Sequence, residues 1–96
     1  MDTARLSSQD AIREIMNNLK DLLLYKNKMY GDSAVNPTKV FSKLDAEEGI
    51  KIRLDDKLKR IINSDKLRRN DIVDMIGYLV LLLVARGWYT FSDFKD

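Results

Sequence analysis

Three residues near the start of an apolar run could do chemistry together. Asp71, Asp74 and Tyr78 are spaced i, i+3 and i+7, which puts them on one face if the segment is helical. An ionised carboxylate in apolar surroundings is costly unless a cation or hydrogen-bond donors accompany it. Two carboxylates one turn apart can share a hard divalent ion such as Mg²⁺, which takes oxygen ligands and keeps waters. The same pair can instead meet the cations Arg53, Lys57 or Arg60 upstream. Asp71 also has a plainer explanation, because acids are favoured in the first turn of a helix.

A second group is Arg53, Asp56, Lys57 and Arg60, at helical spacing and beside an apolar stripe. Arginine offers a planar fork that matches phosphate oxygens, lysine a movable point charge. Asp56 could hold one of these cations in place or join a metal site. Lys51, Asp55 and Lys59 fall elsewhere on the wheel and read as ordinary surface. The third group is Lys26, Lys28, Tyr30, Gly31 and Asp32, a glycine turn flanked by cations and an aromatic ring, suited to wrapping an anion or stacking a base. Neither GxxxxGK[ST] nor GxGxxG occurs, so no standard phosphate loop is present. Taken singly, each group also suits a solvated helix face or a plain interhelical turn.

Composition narrows the chemistry further. The 96 residues contain no Cys and no His. Disulfides, thiolate metal sites and the commonest general base are therefore excluded. Any catalysis would rest on carboxylates, Lys, Arg, Tyr or hydroxyls. The net charge is +2, but it is unevenly distributed. Residues 50–70 hold eight Lys/Arg against three Asp, whereas residues 71–96 hold four Asp against two cations. Such segregation suits a phosphorylated ligand held partly by cations. The polar opening MDTARLSSQD has no apolar core of a secretory signal, and Ile72–Ala85 is shorter than the ~20 residues a bilayer span needs. The expectation is a cytoplasmic protein (host cytoplasm, if the protein is viral) without membrane partners.

The elements that must position these groups are helical. Ser7 or Ser8 can cap a first helix carrying Ile12, Ile15, Met16, Leu19, Leu22 and Leu23 at 3-4 spacing, ending near Lys26. After the turn at Gly31 and the Asn36-Pro37 step, a short helical turn is predicted around Thr38–Leu44, with Val40, Phe41 and Leu44 facing inward. A second long helix spans roughly Asp45 to Asn63 on the stripe Ile50, Leu54, Leu58 and Ile61, with a break conceivable at Glu48-Gly49. Residues 64–70 form a polar connector, and its Lys66, Arg68 and Arg69 lie outside the pocket the other groups would make. Asn70 is the expected cap of the third helix and Gly87 its C-terminal stop. In the tail, Trp88 and Phe91 either fold back on the bundle or cover a neighbouring subunit.

The expected architecture is all-α. A single domain, 1–96, comprises three long helices and one short one, with 1–6 as a lead-in and 88–96 as an aromatic tail. Three long helices leave few ways to cover every side of Ile72–Ala85. Val73, Ile76, Val80, Leu83 and Val84 share a broad face, so completion by a second copy is expected.

The order K-x-K-x-Y-G-D-S (26–33), R-x-x-D-K-x-x-R (53–60) and D-I-x-D-x-I-G-Y (71–78) resembles the phage nucleotide modification associated domain. That family is similar to small phage MazG-like proteins. The resemblance spans about residues 22–82. It implies a fold near the all-α nucleoside triphosphate pyrophosphohydrolases and a nucleotide as ligand. It points to Tyr30, Gly31 and Asp32 in the loop, to Arg53, Asp56, Lys57 and Arg60 on the second helix, and to Asp71, Asp74 and Tyr78 on the third. Hydrolases of the MazG type hold Mg²⁺ with an E-x-x-E pair on one helix and E-x-x-D on the next. Here the second pair is Asp71-x-x-Asp74, and the first has only Glu47-Glu48 or Asp55-Asp56, adjacent acids that diverge by ~100° on a helix.

Two functional expectations result. In the first, the protein holds a phosphorylated nucleotide without turnover, for instance sequestering a defence-signalling nucleotide. Lys26, Tyr30, Gly31, Asp32, Arg53, Asp56, Lys57, Arg60, Asp71, Asp74 and Tyr78 would line that site. In the second, Mg²⁺ on Asp56, Asp71 and Asp74 activates a water to hydrolyse a nucleoside triphosphate. From a different class come nucleic-acid binding through Lys66, Arg68 and Arg69, against which the modest net charge argues, and a partner-inhibiting helical protein.

Overall fold

The computed structural model describes residues 5–95, and among these the regular structure is entirely helical. Two compact units are present, one ending at Gly31 and the other beginning at Asp32. The first is essentially α1, Ser8–Met29. Ser7 caps it, its hydroxyl accepting from the Asp10 N–H at 3.1 Å. Asp10 then pairs with Arg13 at 2.6 Å one turn on. The helix runs three residues beyond Lys26. It ends where Gly31 and Asp32 both take left-handed φ near 60°, accessible to glycine and tolerated by Asp. Along the expected stripe Leu19 is buried, Leu22 and Leu23 are half-buried, and Ile12, Ile15 and Met16 stay exposed.

The second unit is built on a helical hairpin. Helix α2, Ala46–Ile62, is capped by Asp45, whose carboxylate accepts from the Glu48 N–H at 2.9 Å. It runs unbroken through Gly49. Helix α3, Arg69–Arg86, packs along it. Gly87, at φ 71°, closes α3, its N–H donating to Val84 O while the Trp88 N–H donates to Leu83 O. This double bond pattern satisfies two end carbonyls and requires the left-handed residue that glycine provides.

The face of α2 turned to α3 differs from the expected stripe. Ile50 is almost fully buried, and Leu54, Lys57 and Ile61 are half-buried at 4-3-4 spacing; Leu58 is exposed. A lysine thus takes the place foreseen for a leucine, because α3 presents Asp74 opposite it. No helix forms over Thr38–Leu44. Lys39 adopts φ 61°, which a right-handed turn cannot contain, and Val40, Phe41 and Leu44 are exposed rather than packed in a core, Phe41 wholly so. The short helical element lies instead in the tail, a 3₁₀ turn at Ser92–Phe94. The chain leaves extended backbone at Arg68 (φ −100°, ψ 134°), so the N-cap is Arg68 rather than Asn70. Trp88 and Phe91 remain about half exposed, Trp88 under the Arg86 guanidinium and Phe91 against Phe94. No helix among the described residues is long and apolar enough to cross a membrane.

Candidate functional site: a basic cleft at the closed end of the hairpin

The polar connector between α2 and α3 makes the site. Asn63 ends α2, its N–H donating to Lys59 O at 3.0 Å. The Ser64 hydroxyl then donates to Lys66 O, and the Lys66 N–H donates back to Ser64 Oγ at 3.2 Å. Serine is suited to this local bonding. The result is a cleft of about 930 Å³ bounded by the end of α2, the connector and the start of α3. Four cations line it, Lys59, Arg60, Lys66 and Arg68, together with the carboxylates Asp56, Asp65 and Asp71. Asp71 is the buried one, 4% exposed, in the first turn of α3 where the helix dipole favours an acid. Helix α3 starts without a side-chain cap, so its first N–H groups add positive potential beside Arg68.

Of the expected site residues, Asp56, Arg60 and Asp71 meet in this cleft. Others meet elsewhere on the hairpin. Lys57 Nζ lies 2.9 Å from Asp74 Oδ2, both largely shielded from solvent. The pairing of Asp74 with a cation of the preceding helix is therefore realised, with Lys57 as the cation. The Arg53 guanidinium sits over the Tyr78 ring, 5.9 Å from its centroid. Arg53 also borders a separate, mainly apolar pocket of about 490 Å³. Lys26, Tyr30 and Gly31 belong to the first unit. Asp32 opens the second, where its carboxylate accepts from the Asn36 amide. The Mg²⁺ set is not assembled: among the described residues no three acidic side chains group to hold a metal ion. One of its three members, Asp74, is engaged by Lys57.

Lys59, Lys66 and Arg68 are the site residues that sequence reasoning misplaced. The sequence places Lys59 on plain surface and the other two outside the pocket the other groups would make, whereas all three line the cleft. A helical wheel sorts residues within a helix; at the last turn the chain folds over the end, and both flanks face the same space. The available signal was positional: basic residues on both sides of a serine-containing turn that joins two packed helices.

At the other end of the hairpin Glu47 is the acidic hub. It bonds the Arg86 guanidinium and lies 3.5 Å from Lys51. The Arg86 hydrogen bond holds the Glu47 carboxyl below its ordinary value of 4.5, despite an opposing contribution from burial. In turn the Glu47 bond raises the Arg86 pKa. These charges satisfy one another across the helix ends, an acid at the start of α2 and a cation at the end of α3, as the dipoles favour.

No protein-family model, curated protein or solved structure matches the chain.

Proposed function

We propose that the hairpin unit binds a phosphorylated nucleotide and holds its phosphates in the basic cleft. The observation that carries the reading is the convergence of Lys59, Arg60, Lys66 and Arg68 on one concave site. Asp56, Asp65 and Asp71 line the same cleft and offset part of its positive charge between ligands. Arginine forks and mobile lysines are the standard partners of phosphate oxygens. The resemblance to the phage nucleotide modification domain supports a nucleotide over a simple anion. The ungrouped carboxylates favour retention without turnover, the behaviour of a protein that sequesters a signalling nucleotide.

The test is isothermal titration with inorganic pyrophosphate and with the four common nucleoside triphosphates, each with and without Mg²⁺, followed by product analysis. Binding of pyrophosphate is expected, weakened about ten-fold in Arg60→Ala and in Lys66→Ala. Recovery of intact nucleotide supports sequestration; release of pyrophosphate from a nucleoside triphosphate would instead make the protein a hydrolase. Absence of pyrophosphate and nucleotide binding overturns the reading. So does tight, steeply salt-dependent binding of duplex DNA that nucleotides cannot displace.

A further inference from the structure

The apolar pocket and the basic cleft are neighbours on one helix face. Ala46, Gly49 and Arg53 border the pocket, and Asp56, Arg60 and Asn63 border the cleft. Together they form a single 3-4-3-4-3 stripe along α2, so both sites open on the same side of the same helix. Arg53 and Arg60 are two turns apart, about 10 Å, a separation that one nucleotide can bridge from base to phosphate chain.

The pocket is a built feature. Its far wall is the irregular segment that the sequence predicted to be helical, shaped by left-handed Lys39 and by the Lys43 ammonium donating to Lys39 O at 2.7 Å. Non-glycine residues in that backbone region store strain and cluster at binding sites. Val40, Phe41 and Leu44 are exposed there, Phe41 completely, while Ile50 forms an apolar floor. Three exposed apolar side chains around a concavity of this size, with two cations, Lys39 and Arg53, and the helix-capping Asp45 also bordering it, have the character of a small-molecule site. Gly49 borders it beside open space: a Cβ built at Gly49 meets nothing within 4 Å. Inside a helix glycine costs up to about 1 kcal/mol relative to alanine, and nothing in the packing around Gly49 requires one.

We infer that this pocket is the nucleobase subsite of the ligand whose phosphates occupy the cleft. Phe41 provides a stacking surface for the base, and Arg53, itself braced on Tyr78, stands between base and phosphates. The inference rests on the proposed phosphate site, and comparison of a nucleotide with its phosphate chain alone separates the two. The probes are ATP, GTP, CTP and UTP against inorganic tripolyphosphate, titrated into the full chain. At least one nucleotide is expected to bind about ten-fold or more tightly than tripolyphosphate, the scale of a stacked base.

Gly49→Leu fills the pocket from a helical position with open space beside it, and is expected to melt at the same temperature or higher. It should abolish the nucleotide preference while leaving tripolyphosphate affinity within about two-fold. Phe41→Ala, at a fully exposed side chain of the pocket lining, should reduce the preference in the same way. If nucleotides bind no tighter than tripolyphosphate, or if both variants keep the preference, the subsite is wrong while the phosphate cleft stands. If tripolyphosphate and nucleotides all fail to bind, the phosphate site fails and the subsite with it.

Discussion

The two ends of the α2–α3 hairpin carry the same kinds of charge and use them in opposite ways. At the open end Glu47 gathers Arg86 and Lys51, and the charges neutralise one another at contact distance. At the closed end Asp56, Asp65 and Asp71 share a cleft with Lys59, Arg60, Lys66 and Arg68. No ion pair at contact distance is found between those acids and cations among the described residues. Charges that satisfy each other close a structure; charges held near but apart around a concavity are available to a ligand. Between the ends Lys57 and Asp74 make a third arrangement, a contact pair shielded from water.

The largest expected effect lies in the middle. Lys57→Ala removes the shielded ammonium from the half-buried Asp74 carboxylate, and chemical denaturation should show a loss of about 1–3 kcal/mol. A loss below about 0.5 kcal/mol would mean that the middle pair behaves like exposed surface charge. The closed end should behave in reverse. Asp65→Asn, which removes an exposed carboxylate from the cleft, should leave the melting temperature unchanged and tighten pyrophosphate binding by about two- to three-fold, because one like charge no longer opposes the anion. Weaker binding would make Asp65 part of the binding machinery and blur the contrast.

The smallest effect belongs to the open end and is one of pH. The folded Glu47 carboxyl sits below 4.5, so the pair stabilises the fold above that pH and the contribution disappears as the solution is acidified through the lower, folded value. Glu47→Gln should therefore narrow its stability deficit against wild type below pH 4.5, read by melting curves from pH 3 to pH 7. A constant deficit across that range would show that the Glu47–Arg86 contact does not depend on the carboxylate charge.

Helix boundaries were legible wherever a cap was local. Ser7, Asp45 and Gly87 mark their helix ends by chemistry that acts locally, two side-chain caps and a left-handed glycine. Arg68 has no such signal, and the more conventional cap, Asn70, lies inside the first turn. The segment 38–44 misled for a related reason: Val40, Phe41 and Leu44 have helical spacing, but one left-handed residue at Lys39 cancels it. Among the site residues, Asp56, Arg60 and Asp71 could be read from charge and spacing. Lys59, Lys66 and Arg68 could not, since their convergence depends on how the connector turns at Ser64.

By itself the sequence determined the helical class, the absence of thiol and imidazole chemistry, and the acidic start of an apolar helix that had to find cations nearby. These follow from composition and from interactions within one turn. Which cation each acid meets was decided only by the tertiary structure. The antiparallel packing of α2 and α3 gives Lys57 to Asp74 and Arg53 to Tyr78, and leaves Arg60 facing the cleft with Asp71. Residues that share a helical face are equivalent along the chain; a packed neighbour gives each turn its own partner, and that separates the structural pairs from the candidate site.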